Sequence, residues 1–304
     1  VKFFSPTVFI VCTLVGVACG SSFTTVSTMG IAFIGIGATL KINPGLTAGV
    51  IVSGAFCGSN ISPLSGTTNL AASVGEISIY KHIKSLLTTD IPAWAICLIL
   101  YTFLGLNSKN VSLGAVHQMM AGLQNGFWIS GWALLPVLLL IVLAIFQVPA
   151  IPSLGLGSLF AVVLGWIHAP KTSLTTITNT IMTGYVSHTG DKTIDTLLSK
   201  GGISSMLTSL ALIIFALALG GLLIKFNIIS AIINHLTGIV KTPGRLAFST
   251  ALTCIGVNLL VGEHYLAIIL PGQSFLPSFD KLGLKRVDLT RILNDAGAAV
   301  NAIV

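Results

Sequence analysis

Between Gly20 and Asn69 an apolar chain twice turns polar at a depth where a lipid-embedded helix would have to continue. The first interruption, Gly20-Ser-Ser-Phe-Thr-Thr-Val-Ser-Thr-Met-Gly30, follows the apolar run from Val8 to Cys19. The second, Gly58-Ser-Asn-Ile-Ser-Pro-Leu-Ser-Gly-Thr-Thr-Asn69, follows Leu46 to Cys57. Glycine and proline release backbone groups from helical pairing, and hydrocarbon offers them no new partner. Non-helical backbone at that depth therefore has to be buried in protein or to line a watery cavity. Either run alone also reads as an ordinary loop between helices. Together they point to broken helices around a transport site.

Residence in a membrane follows from composition. Of 304 residues, 54% are hydrophobic and only 8% charged, against about 25% charged in a soluble domain. The net charge is +7, yet the fifteen lysines and arginines are scattered rather than interleaved with aromatics. That excludes a nucleic-acid partner and fits basic loops facing anionic lipid. Cys12, Cys19, Cys57, Cys97 and Cys254 sit mostly in apolar runs with no Cys-x-x-Cys pair, so they read as reduced, packed thiols. The chain opens at Val1 and closes at Val304 within an apolar run, as expected of a piece of a longer protein.

A crossing helix takes about 20 mostly apolar residues. Phe3 to Lys41 is too long for one straight span and is expected to be a discontinuous helix. After the Asn43-Pro44-Gly45 turn, Leu46 to Cys57 is too short to cross and fits a half-helix, with Leu70 to Tyr80 as its return arm. Lys81 to Leu87 is expected to lie along the interface, and Ile91 to Leu106 to cross. Trp132 to Phe146, Ile151 to His168 and Met206 to Ile224 are further spans, with Ile228 to Val240 a shorter amphipathic segment. Arg245 to Gly272 is a second interrupted span, broken at Gly262-Glu-His-Tyr265. The expected division is residues 1–168 as a first repeat with scaffold spans, 169–205 as a polar connection and 206–304 as a second repeat. Basic clusters flank the last broken span on both sides, so charge bias does not set the orientation.

The repeat is legible as weak similarity. Gly20-Ser-Ser-Phe23 through Gly30 matches Gly262-Glu-His-Tyr265 through Gly272, with an aromatic at the same place in each frame. Further on, Leu46-Thr47 and Leu289-Thr290 open small-residue segments ending in Asn60 and Asn301. The offset stays near 242, and weak repeats with paired breaks mark inverted-topology transporters. Because intramembrane ionisable groups are functional candidates by default, Glu263, His264 and Asp295 stand out, the two carboxylates as Na+ or H+ carriers. The competing readings are structural: a helix end near water or a pair with an arginine for Glu263, the first turns of a helix for Asp295, and helix packing for His264. Ser21, Ser22, Thr24, Thr25, Asn60, Ser62, Ser65, Thr67, Thr68 and Asn69 supply oxygen ligands suited to a small hard cation, or to a carboxylate at a half-helix N-terminus. No phosphate-binding loop, metalloprotease motif or nucleophile–base pair is present, which argues against an enzyme.

Several of these pieces resemble the NhaC family of sodium/proton antiporters, which also includes malate/lactate exchangers. The matching residues are Gly20-Ser-Ser-Phe, Thr28-Met-Gly-Ile-Ala32, Ser62-Pro-Leu-Ser65, Thr67-Thr-Asn-Leu-Ala71, His82-Ile83, Tyr265-Leu-Ala-Ile268 and Leu270-Pro-Gly272. The resemblance covers nearly the whole chain and implies an inverted-repeat, elevator-type ion transporter. It also exposes a departure, because the family pattern carries acids where this chain has Ser59 and Gly66. The resulting expectation is an all-α integral membrane protein, a multi-span inverted-repeat transporter with broken helices and re-entrant hairpins. It would exchange Na+ for H+ by alternating access, or exchange or symport a small organic acid as the alternative. No cofactor is expected, since Na+ and H+ are cargo. Its surroundings would be the lipid bilayer of a bacterial plasma membrane, with a homodimer as a conceivable assembly.

Overall fold

A computed structural model describes residues 3–106, 130–146, 148–170, 172–188, 195, 199, 201–226, 242–298 and 300. The first helices are α1 (Phe4–Cys19), α2 (Ser22–Thr39), α3 (Pro44–Asn60), α4 (Gly66–Val74) and α5 (Ile79–Leu106). A 3-10 turn, Gly131–Leu134, leads into α6 (Leu135–Ile145), followed by α7 (Ala150–His168), α8 (Leu174–Thr183) and α9 (Ile203–Lys225). The last are α10 (Pro243–Val261), α11 (His264–Lys281) and α12 (Arg286–Ile292), which runs into a π-helical turn, Leu293–Ala298. No strand occurs among the described residues. Helices α5, α7 and α10 are long and apolar enough to cross a membrane. Ile96, Ile99 and Phe103 on α5 and Leu159 and Ile167 on α7 stay exposed, as lipid-facing side chains do. The described residues form helices and no strands, as in an all-α, multi-pass membrane protein.

Two compact units form, one from Val1–Gly58 with Ala95–Thr208, the other from Ser59–Trp94 with Ser209–Val304. In the first, Val8, Phe9 and Cys12 of α1 and Val50, Ile51 and Ala55 of α3 are buried. Gly54 and Gly58 lie one turn apart, and a Cβ on Gly54 would stand 2.7 Å from the Phe9 carbonyl oxygen. A Cβ on Gly58 would collide with the Thr13 carbonyl. This is the small-xxx-small seam by which membrane helices approach backbone to backbone. In the second unit, Leu246, Cys254, Ile268, Phe275, Phe279 and Leu289 share one apolar core.

Both expected breaks at glycine are present, and each is shorter than its polar run. Helix α1 ends at Gly20 (φ 67°, ψ 17°), whose N–H donates to the Gly16 carbonyl, and Ser21 then caps α2 from extended backbone (φ −139°, ψ 115°). Helix α10 ends at Gly262 (φ 68°, ψ 20°), whose N–H donates to the Asn258 carbonyl, and Glu263 caps α11 at φ −136°, ψ 119°. Left-handed backbone is nearly free for glycine and costs other residues about 1–2 kcal/mol. The first break takes only Gly20 and Ser21, so Ser22 to Gly30 is helix rather than loop.

The parallel continues past the breaks. Helix α2 closes with Leu40, Lys41 and Ile42 donating to the Ile36, Ala38 and Gly37 carbonyls, and α11 with Leu282, Gly283 and Leu284 donating to Ser278, Asp280 and Phe279. Lys41 and Gly283 both have positive φ, 51° and 66°. Helix α3 begins at Pro44 and α12 at Arg286. This register sets Leu46 opposite Asp288, one residue off the pairing read from sequence similarity.

Other expectations shift. Lys81 to Leu87 does not form a separate interfacial helix: it is the first part of α5, which continues through Pro92. The polar stretch after His168 contains the ten-residue helix α8, capped by Ser173. Ile228 to Val240 and Asn301 lie outside the described residues.

Candidate functional site

The hydroxyls of the first break serve their own helix. Ser21 Oγ accepts from the Thr24 N–H at 3.2 Å and from the Thr24 hydroxyl at 3.0 Å. Thr25 Oγ1 donates to the Ser21 carbonyl at 2.9 Å, and Thr28 Oγ1 to the Thr24 carbonyl at 2.7 Å. Ser22 opens α2. Such back-bonding is what short polar side chains do where a helix starts. All of this lies in the first unit.

In the second break Ile61 to Ser65 is the non-helical link between α3 and α4. Its polar groups close its backbone. Ser62 Oγ accepts from the Leu64 N–H at 3.1 Å, and Ser65 and Thr67 share a hydroxyl hydrogen bond at 2.9 Å. Asn69 Nδ2 donates to the Pro63 and Ser65 carbonyls at 2.8 and 2.7 Å. Thr68 Oγ1 donates to the Asn60 carbonyl at 2.9 Å. Tied down in this way, the link fixes the end of α3, where Asn60 is 7% exposed.

Asn60 is the centre of a polar cluster within the second unit. Its Nδ2 donates to both carboxylate oxygens of Asp90 on α5, at 3.1 and 2.9 Å. Its Oδ1 accepts from Asn294 Nδ2 at 2.6 Å. Asn294, fully buried, and Asp295 stand on the π turn, and Thr89 Oγ1 donates to Asp295 Oδ2 at 3.1 Å. Asn258 Nδ2 donates to the Gly297 carbonyl at 2.8 Å and secures the far side of that turn. π turns widen a helix and occur often at functional sites. Asn294 Oδ1 and Asp295 Oδ1 are buried and have no hydrogen-bond partner among the described residues. These two orphan oxygens, one anionic and on consecutive residues, are of the kind that ligate hard cations.

Asp90 was not legible as a site residue. In sequence it reads as the polar start of an apolar span, within Thr88-Thr-Asp-Ile-Pro92. The signal that could have found it is a carboxylate falling inside one unbroken helix, since Pro92 does not end α5.

Glu263 is committed elsewhere. Its Oε2 accepts from the Tyr265 and Leu266 N–H groups at 2.7 and 3.3 Å, and its Oε1 lies 3.7 Å from His264 Nδ1. The His264 and Tyr265 rings lie tilted by 34° with centroids 4.5 Å apart. A Cβ on Gly66 would come within 2.8 Å of the Tyr265 hydroxyl, so the ring fills the space beside that glycine. The structure thus joins Asn60 to Asp295 through Asn294, and gives Glu263 and His264 partners of their own.

Comparison with known proteins adds the following. The sequence profile of the Na+/H+ antiporter family matches residues 58–304. The Na+/H+ antiporter NhaC of Bacillus subtilis is 38% identical over 96% of this chain and 65% of its own length. NhaC of Alkalihalophilus pseudofirmus is 35% identical over 100% of this chain and 66% of its own. The malate-2H+/Na+-lactate antiporter of Bacillus subtilis is also 35% identical, over 100% of this chain and 66% of its own. The chain therefore spans a little under two thirds of these relatives. No solved structure matches it.

Proposed function

The chain belongs to the Na+/H+ antiporter family, and from that premise we propose that it exchanges Na+ for H+ across a cell membrane by alternating access. The observation that carries the reading is the π turn with its two orphan oxygens, Asn294 Oδ1 and Asp295 Oδ1, hydrogen-bonded through Asn294 to Asn60 at the end of α3. Asp295 carries the charge and Asn294 and Asn60 fix the geometry, while the hydroxyls of Ser62, Ser65, Thr67 and Thr68 hold the link in shape. Glu263 sets the α10–α11 break. The shared boundaries and dihedral angles of α1–α3 and α10–α12 support an internal repeat of inverted topology, with α3 and α4 as a re-entrant hairpin.

Similarity to the malate-2H+/Na+-lactate antiporter favours a second reading, exchange of a small organic acid. The test is flux through the full-length protein in proteoliposomes, with internal pH followed by a dye. A sodium-triggered pH change, abolished by Asp295→Asn, is the expected result. Uptake of labelled malate or lactate with no response to sodium would overturn it in favour of the second reading.

A further inference from the structure

The expected family acids are missing at Ser59 and Gly66, yet the site holds two carboxylates. Asp90 reaches it from α5 and Asp295 from the π turn, joined by Thr89, the neighbour of Asp90, which donates to Asp295, and by Asn60, which donates to Asp90 and accepts from Asn294. Asn60 bonds Asp90 in bidentate fashion. The surroundings of the two differ. Asp295 receives the Thr89 hydroxyl and feels the charge of Arg291, which itself donates to Thr88 at 3.1 Å and pairs with Asp288 at 3.5 Å. Asp90 has the neutral amide of Asn60 and, among the described residues, no ion pair. His82 lies two turns earlier on the same face of α5, buried, with neither ring nitrogen hydrogen-bonded among the described residues.

We propose that Asp90 is a second ion-exchanging carboxylate of this site, carrying the exchanged proton while Asp295 and Asn294 hold the sodium ion. The inference rests on the Na+/H+ reading and gives it a coupling mechanism. Two like charges in one half-buried cluster oppose each other's ionisation. With Asp295 empty and negative, Asp90 keeps its proton. When Na+ settles on Asp295 Oδ1 and Asn294 Oδ1, the repulsion is cancelled, and Asp90 gives its proton to water on that side of the membrane. When Na+ leaves on the other side, Asp90 takes a proton back from there. One sodium ion and one proton thus exclude each other through two carboxylates rather than by competing for one.

The test compares two readouts in proteoliposomes of the full-length protein: sodium-driven pH change, and exchange of radioactive for unlabelled sodium, which needs no proton. In Asp90→Asn, which keeps the size of the side chain and an acceptor for Asn60, sodium–sodium exchange is retained and the pH change is lost. Asp90→Glu restores the pH change, which a merely structural contact would not require. Asp295→Asn loses both. A wild-type-sized pH change in Asp90→Asn would overturn the proposal. So would loss of sodium–sodium exchange in Asp90→Asn and Asp90→Glu together, which would make Asp90 a sodium ligand or a structural group. Wild-type protein that shows neither readout would instead defeat the Na+/H+ reading.

Discussion

Glu263 is 5% exposed, and its carboxylate is occupied by the backbone it caps. An N-cap of this kind is worth about 1 kcal/mol, and glutamine can still accept from the same N–H groups. Glu263→Gln is therefore expected to retain sodium-driven flux, whereas Glu263→Ala lowers the melting temperature without abolishing sodium exchange. Thermal unfolding in detergent, read beside vesicle flux, checks both. The same residue shows what a sequence conveys about a site. A carboxylate in a broken span announces itself by rarity, but not whether its oxygens face a ligand or a helix end. Asp295 announced itself equally, and only the fold shows that its Oδ1 lacks the backbone partners that Glu263 has. Asp90 did not, because its partner Asn60 is 30 residues away and the contact depends on how the α3–α4 link folds back.

The paired breaks were the most legible elements, since a glycine that must take left-handed backbone leaves a mark in any sequence. What could not be read was their extent. Hydroxyl-rich stretches look like loops, yet in Ser22 to Gly30 the hydroxyls bond back to carbonyls three and four residues earlier, and the helix survives. The joining of Lys81–Leu87 to α5 was equally hidden, because an amphipathic turn and the start of a long helix share one pattern. Gly262 has open space where a Cβ would go, so substitution there meets backbone strain alone. Gly262→Ala is expected to cost about 1–2 kcal/mol. Gly256→Ala, also in open space but inside α10, is expected to be neutral or to gain up to about 1 kcal/mol. Unfolding midpoints of the two variants would reveal whether the break is set by conformation.

For the whole molecule, the consequence of a site with orphan oxygens is that its ligand should hold the fold. Any ion that binds the native state alone stabilises it by mass action, by about 2.7 kcal/mol at a hundredfold excess over its dissociation constant. Sodium is therefore expected to raise the melting temperature of the wild type above that in choline, and Asp295→Asn to remove the difference. The charge outside the site has a separate task. Arg286 on α12 joins Glu76, in the turn after α4, to Asp280 on α11, and these carboxylates hold its guanidinium protonated beyond its ordinary range. Being exposed, that cluster weakens with salt, so the sodium effect should be read at constant ionic strength. The π turn carries one more consequence, a matter of inheritance. A ring closed from i to i+5 encloses one more residue than an α-turn, so the placing of Asn294 and Asp295 depends on a count as well as on identities. Deleting Leu293, Ala296, Gly297 or Ala298 would preserve Asn294 and Asp295 in name and change the turn that places them. Descendants of this chain should therefore tolerate exchanges in that segment more readily than a change in its length.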